Sequence, residues 1–351
     1  MAKKIKVASL FSGIGGFEQG FKTSNMEYDL VFSSEIDKYA TQTFSYNFPI
    51  NNMVGDIKKV DEKSIPDHDL LCGGFPCQSF SVAGMQKGFN DIRGTLFFDV
   101  IRIIKEKKPK YILLENVKNL ISHDKGNTIK TILKNISDCD YTFDFTVINS
   151  CEAGVPQSRE RTYILGILNG KTQKFEKDIR NNKVSIIKSW ANENNLKTMN
   201  FFNSIHMSNT NVYIKDILEK NVDKKYYLNN PKVTEYTSAL NETSLSLTTQ
   251  PKIIKEFTLP REIHNDLDRQ RRVYSIYGIS PTLLARSDSP KILFKENEQY
   301  QIRKLTPLET FRVQGFSKEF TDNIEKKRNE WYTIIQTIWK CCKSTCNIRN
   351  N

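Results

Sequence analysis

Apolar and polar positions follow two rhythms over the first 170 residues. Short apolar runs, rich in β-branched and aromatic side chains, stand at 5–11, 30–34, 69–74 (DLLCGG) and 110–117 (KYILLENV). A further run, TYILGI, lies at 162–167, and 94–108 (GTLFFDVIRIIKEKK) repeats its apolar positions at helical spacing. Strands and helices in alternation predict an α/β architecture, a parallel sheet covered on both faces. Ligands of such sheets bind at the carboxyl ends of the strands. After Gly170 the rhythm fades. Residues 171–260 are rich in Lys, Asn and Thr and predict a separate, smaller domain of irregular or β structure. Strand-like pieces follow at 279–285 and 291–294, and amphipathic helical patterning at 303–315. The pattern therefore divides the chain into 1–168, 169–302 and a last segment, 303–351, that returns to the first domain.

Charge sharpens this division. The 351 residues carry a net charge of +12, distributed as +1 over 1–165, +6 over 166–302 and +5 over 303–351. A near-neutral first half and a basic second half suggest a polyanionic partner on one side of the molecule, although a solvated Lys-rich surface gives the same count. No apolar run reaches the roughly 18–20 residues of a membrane span. The basic start MAKKIK leads into no long apolar region, so a signal peptide is not expected. Seven cysteines, an odd number, do not suggest a secreted disulfide framework, and a reducing cytoplasm is expected.

Candidate chemistry clusters at the predicted strand ends. Phe11-Ser12-Gly13-Ile14-Gly15-Gly16 joins a strand to a helix, and its glycines allow a ligand close to free helix-terminal amides. A dinucleotide fingerprint needs a sixth-position glycine, where Glu18 stands. Glu35, with Ile36 after it, ends the next strand, where a carboxylate grips ribose hydroxyls. Asp56 lies in a turn suited to an adenosine edge. The run Gly73-Gly74-Phe75-Pro76-Cys77-Gln78-Ser79 ends an apolar strand in a polar loop, where a thiol is open to activation as a nucleophile. Cys72, within the strand, reads as a small buried hydrophobe. Glu115, ending the strand YILL, is a carboxylic acid at the same sheet edge as Cys77. Arg159 and Arg161 occupy alternate positions entering a strand and so face one side.

Taken in order, FSGIGGFE, SEIDKYA, GDIKKV, GFPCQSFS, RGTLFFD, ENV, PQSRERTYILG and LTPLETFRVQGF resemble the successive motifs of the DNA (cytosine-5-)-methyltransferase family of bacterial restriction–modification type. The likeness covers about residues 5–168 and 303–316. It implies the S-adenosylmethionine-dependent methyltransferase fold, a Rossmann-like mixed sheet with a second, smaller target-recognition domain. Residues 1–168 would be the cofactor-binding and catalytic domain and 169–302 the recognition domain. Phe11, Gly13, Gly15 and Gly16 would line the S-adenosylmethionine pocket, with Glu35 and Ile36 at its ribose, Asp56 and Ile57 at its adenine, and Pro76 and Leu96 on its walls. Cys77 would add to carbon 6 of a cytosine flipped out of double-stranded DNA. Glu115 would hydrogen-bond ring N3 and the amino group, and carbon 5 would take the methyl group before β-elimination released Cys77. Arg161 would contact the flipped base, and Arg159 would support the catalytic loop or the DNA backbone. Gln78, Ser81, Arg93, Arg272, Thr282 and Arg286 are the candidates for contact with DNA. The resemblance also implies a monomer that needs no metal and no membrane, and that is paired with a cognate endonuclease in function rather than by contact.

The pattern breaks after Gly315-Phe316. The family's last motif, close to Tyr-Lys-Gln-x-Gly-Asn-Ser/Ala-Val, is replaced by RNEWYTIIQTIWKCCKSTCNIRNN, whose three cysteines make a poor zinc site. Back-translation one nucleotide later permits it. Trp339 then becomes glycine, Lys340 becomes Asn or Ser, and Cys341 and Cys342 each become Ala or Val. The shifted frame permits Tyr-Lys-Gln-Tyr-Gly-Asn-Ala-Val from Ile335 onward. A single-nucleotide shift between about Gly315 and Ile334 is the expectation, which leaves an active enzyme and an impaired DNA-binding relic as alternatives. An RNA methyltransferase on the same scaffold is a third, against which the long recognition block weighs.

Overall fold

The computed structural model describes residues 4–76, 96–176, 181–228, 230–238, 251–283 and 289–326. Cys77, Gln78, Ser81, Arg93, Arg286 and the altered tail from residue 327 lie outside them. The described residues fall into two compact units. One takes in the chain up to Ile148 and then Glu160–His206; the other takes in Asn149–Arg159 and the chain from Met207.

The first unit is built on a seven-stranded mixed sheet. Its strands are β1 (Ile5–Leu10), β2 (Tyr28–Ser34), β3 (Met53–Val54), β4 (Leu70–Gly74), β5 (Tyr111–Val117), β6 (Tyr141–Asn149) and β8 (Glu160–Leu168), in the order β3-β2-β1-β4-β5-β8-β6. Strands β1 to β5 pair in parallel, and β8 runs antiparallel to β5. The period of two along each strand sends alternate side chains to opposite faces. Ala8, Leu10, Leu71, Ile112 and Leu114 join the larger core, while Val7, Leu70 and Cys72 join the smaller one beneath helix α1 (Gly16–Thr23). Cys72 is wholly buried, as a small hydrophobe should be, and burial pushes its thiol pKa well up. Helix α2 (Lys38–Asn47) follows β2, capped by Asp37. Helices α3 (Leu96–Lys107) and α4 (Asn127–Asp138) bury Phe97, Val100, Ile101 and Ile104, and Ile129, Ile132, Leu133 and Ile136, at the three-to-four spacing of one helical face.

The first unit continues beyond the change of composition at residue 170. The segment expected to be irregular or β contains α5 (Asn182–Glu193), capped by the Asn181 side chain and burying Val184, Ile187, Lys188 and Ala191. A lysine among the four inward positions hides the apolar stripe from a hydropathy reading. Lys188 pairs with Asp144 of β6 at 3.0 Å, both side chains no more than 2% exposed.

In the second unit a four-stranded sheet has the order β13-β12-β10-β9, from β9 (Lys255–Thr258), β10 (Arg272–Ser275), β12 (Lys291–Glu296) and β13 (Gln299–Lys304). The β12–β13 hairpin turns through Asn297 and Glu298, both with positive φ, as a two-residue turn of that hand requires. The longer helices of this unit are α6 (Pro231–Ser238), α7 (Pro307–Val313) and α8 (Lys318–Glu325). The helical reading of 303–315 is corrected at its start. Arg303 and Lys304 end β13, and α7 begins only at Pro307, after the N-cap Thr306, whose capping-box partner is Glu309 in the helix's first turn. Arg303 is drawn inward because Glu309 takes its guanidinium in two bonds of 2.7 Å, and Glu309 also accepts the Glu219 amide at 2.8 Å. A short parallel pair, β7 (Gln157–Ser158) with β11 (Ser280–Pro281), completes the unit.

Candidate active site

The chain order reverses at β1, which has β2 on one side and β4 on the other, and such a reversal opens a crevice at the strands' carboxyl ends. Leu10, Ser34 and Gly73 lie level there. Beyond Leu10 the backbone passes through positive φ at Phe11 (54°), Gly13 (56°) and Gly15 (92°) before α1 begins at Gly16. Gly15 has no room for a side chain, since a Cβ there would stand 2.2 Å from the Phe48 ring. The turn is stitched to β2 by the Ser12 amide on Ser34 O (3.0 Å) and by Ser33 Oγ to Ser12 Oγ (2.8 Å). Glu35 reaches back across it. Oε2 accepts the Gly13 amide at 2.9 Å and Oε1 the Asp37 amide at 2.7 Å. Burial raises the Glu35 pKa, and these amide bonds oppose the rise. Ile36 beside it is 75% exposed, an apolar side chain held out at the crevice.

The two glycines ending β4 serve packing. A Cβ on Gly73 would meet Leu10 O at 2.8 Å, and one on Gly74 would meet Glu115 Oε2 at 3.0 Å. Gly74 therefore lets the Glu115 carboxylate lie across the end of β4, three residues ahead of Cys77. The register pairs Gly74 with Glu115, and Val117 with Arg161 of β8. Arg161 Nε stands 2.8 Å from Glu115 Oε1, with side chains 9% and 13% exposed, and Arg161 Nη1 donates to Glu160 O at 2.9 Å. Glu115 and Arg161 thus meet as one partly buried ion pair. Next to them, Asn116 Nδ2 donates to Phe75 O at 2.8 Å.

Other expected residues lie elsewhere or are used differently. Arg159 stands between β7 and β8 rather than in a strand, and it belongs to the second unit, so alternation within one strand does not relate it to Arg161. The Asp56 side chain caps a 3-10 turn through the Lys58 amide (3.1 Å), and Ile57 is 3% exposed, its side chain in the core. Arg102, which no motif singled out, fixes that turn by donating to Ile57 O and Val60 O. Leu96 opens α3 half-buried, and Pro76 is half-buried after β4. Arg272 pairs with Asp268 at 2.7 Å, and the Thr282 hydroxyl donates to Ser158 O at 2.6 Å.

The profile of the C-5 cytosine-specific DNA methylase family matches residues 5–336. The chain belongs to that family. It is 35% identical to the orphan methyltransferase M.SPRI of Bacillus phage SPR, over 90% of this chain and 89% of that one. It is 34% identical to the type II methyltransferase M.HhaI of Haemophilus parahaemolyticus (90% and 85%) and 38% identical to M.SsoII of Shigella sonnei (90% and 72%). Among solved structures, the fold resembles the S. pombe Dnmt2 methyltransferase at a TM-score of 0.62 and 17% identity, covering 98% of this chain and 95% of that one. A putative DNA modification methyltransferase encoded within an E. coli prophage gives 0.57 at 19% identity, covering 97% and 99%.

The methyltransferase takes its methyl group from S-adenosylmethionine, and the crevice fits that molecule. Gly13 and Gly16 leave open space where a Cβ would stand, Glu35 offers a carboxylate with unused lone pairs, and Ile36 offers an apolar face. Among the described residues no helix is long and apolar enough to cross a membrane, and no group of acidic, His or Cys side chains could hold a metal ion.

Glu18, whose presence broke the dinucleotide fingerprint, is wholly buried in the first turn of α1. Burial raises its pKa from 4.5 to about 7 against the opposing Ser9 hydroxyl, and among the described residues neither carboxylate oxygen completes a hydrogen bond of ordinary geometry. The folded chain therefore holds a proton that the unfolded chain releases near pH 4.5. That stabilisation is full below pH 4.5 and is lost as pH rises through about 7, on the order of 3 kcal/mol in all. Urea unfolding from pH 5 to 8 should show the native chain losing stability relative to Glu18→Gln; parallel curves would contradict this.

Proposed function

We propose that the chain methylates carbon 5 of a cytosine held out of duplex DNA, through a covalent bond from Cys77 Sγ to carbon 6. The observation that carries this reading is the Glu115–Arg161 pair laid against Gly74, at the strand end that leads into Pro76-Cys77. Carbon 5 of cytosine is a poor nucleophile until a soft nucleophile adds at carbon 6. The thiolate forms the S–C6 bond and pushes the ring's electron pair toward carbon 5, while Glu115 holds ring N3 and the amino group and Arg161 keeps the acid in place. S-adenosylmethionine, which Gly13, Gly16, Glu35 and Ile36 would hold, would supply an electrophilic methyl group for carbon 5, its S–CH3 bond breaking to leave S-adenosylhomocysteine. Loss of the carbon 5 proton to a water molecule then expels Cys77 as thiolate. Within the 169–302 block, the part from Met207 onward, which belongs to the second unit, reads the DNA site, with Gln78, Ser81, Arg93, Arg272, Thr282 and Arg286 as the DNA contacts. The enzyme works as a monomer on nucleoid DNA and protects sites from an endonuclease it does not touch.

Duplex DNA carrying 5-fluorocytosine tests the covalent step, because a carbon 5 that holds fluorine has no proton to lose. With S-adenosylmethionine present, a denaturation-resistant protein–DNA adduct should accumulate, and bisulfite mapping of ordinary DNA should give the site. Methyl transfer without an adduct would rule the reading out.

A second reading, an impaired DNA-binding relic, is favoured by the tail, which lacks the motif as it stands but whose back-translation permits it in a frame shifted by one nucleotide. Restoring the frame should raise methyl transfer with little change in DNA retention. Equal rates for both chains, or codons 335–342 that do not read YKQ-x-GN-[AV]-V one nucleotide on, would exclude it.

A further inference from the structure

Parallel pairing of β4 with β5 ends at Gly74 and Glu115. One residue further the chain is held differently. Phe75 accepts from the side-chain amide of Asn116, Nδ2 to O at 2.8 Å, so the asparagine extends the ladder past its last backbone bond. Asn116 is 2% exposed, and its Oδ1 accepts the Val117 amide at 2.8 Å, which fixes which end of the amide faces Phe75. The Phe75 ring is itself 2% exposed and packs on Phe97 at 5.4 Å between centroids. Phe75 is thereby fixed at its ring by the core and at its carbonyl by Asn116. It stands two residues before Cys77, and Asn116 follows Glu115 directly.

We propose that Asn116 is a positioning residue for the covalent step, locking the chain that carries the nucleophile to the strand that carries the acid. This rests on the reading of Cys77 and Glu115 given above. A donor is essential at this position. Aspartate has the same shape but, when ionised, turns an acceptor toward an acceptor; when protonated it regains an O–H donor. A misplacement of about 1 Å between reacting groups costs about 100-fold in rate.

The test compares native, Asn116→Asp and Asn116→Leu full-length chains in S-adenosylmethionine binding, thermal unfolding, single-turnover methyl transfer and 5-fluorocytosine adduct formation. The expected result for Asn116→Asp is a rate of adduct formation and methyl transfer lower by about 10–100-fold, with cofactor affinity within about threefold. Its rate relative to the native chain should recover as pH is lowered, while Asn116→Leu, with no donor at any pH, shows no recovery. A rate within twofold of native, no recovery at low pH, or cofactor affinity and unfolding temperature falling in step with the rate would overturn the proposal. A native chain that methylates without forming the adduct would instead overturn the parent reading, and this one with it.

Discussion

Glu115→Gln is expected to slow methyl transfer by about 10²–10⁴-fold, the range a positioned acid or base contributes, with S-adenosylmethionine binding and DNA retention nearly unchanged. Glutamine has the size of glutamate, so it fits over Gly74, where the carboxylate already stands 3.0 Å from the position of an added Cβ. It has no ionisable proton to share with ring N3 and no charge to answer Arg161. The adduct on carbon 6 would then form without help for its displaced electrons. The buried ion pair with Arg161, whose side chain is only 9% exposed, would also lose one of its two charges, so a modest loss of stability should accompany the loss of rate. Single-turnover transfer of tritiated methyl, at saturating DNA and cofactor, separates the chemical step from binding. A rate within tenfold of native would remove Glu115 from the chemistry and leave it a structural partner of Arg161.

Positions whose chemistry depends on the backbone were legible in the sequence. Gly13 and Gly15 could be read as turn residues because positive φ is what glycine supplies, and Glu35 could be read from its distance along the chain, because one strand–helix–strand unit has a nearly fixed length. The α/β class followed from the same alternation, and the parallel pairing of β1 to β5 bears it out. Side-chain direction was less legible. Ile57 points into the core, and Arg159 falls between two strands. The roles of Asn116, which the ENV motif contains, and of Arg102, which no motif contains, escaped notice because their partners, Phe75 O and Ile57 O, are backbone carbonyls more than 40 residues away. Nothing in local spacing marks such a bond. The weakest reading was of the Lys- and Asn-rich stretch after Gly170, where a buried ion pair takes the place of an apolar contact.

That ion pair carries the largest expected effect on stability. Lys188 lies inside α5 with its ammonium 3.0 Å from Asp144 Oδ1 and 4.8 Å from the centre of the Phe175 ring. Asp144 is fully committed, since Oδ1 accepts the Phe145 amide at 2.7 Å and Oδ2 the Phe202 amide at 2.8 Å. Removing the lysine alone leaves a carboxylate in the core with two amides and no cation. Breaking a buried pair in this way costs about 3–5 kcal/mol, so Lys188→Met should lower the unfolding midpoint by on the order of 10 °C for a unit of this size. Lys188→Met combined with Asp144→Asn should recover most of that loss, because no charge is then stranded and the asparagine oxygen still accepts one of the amides. A double variant no more stable than Lys188→Met alone would mean that the lost stability lies in packing around the lysine stem. Recovery would identify the pair as an electrostatic bolt between β6 and α5, holding the helix on the first unit alongside the buried Val184, Ile187 and Ala191.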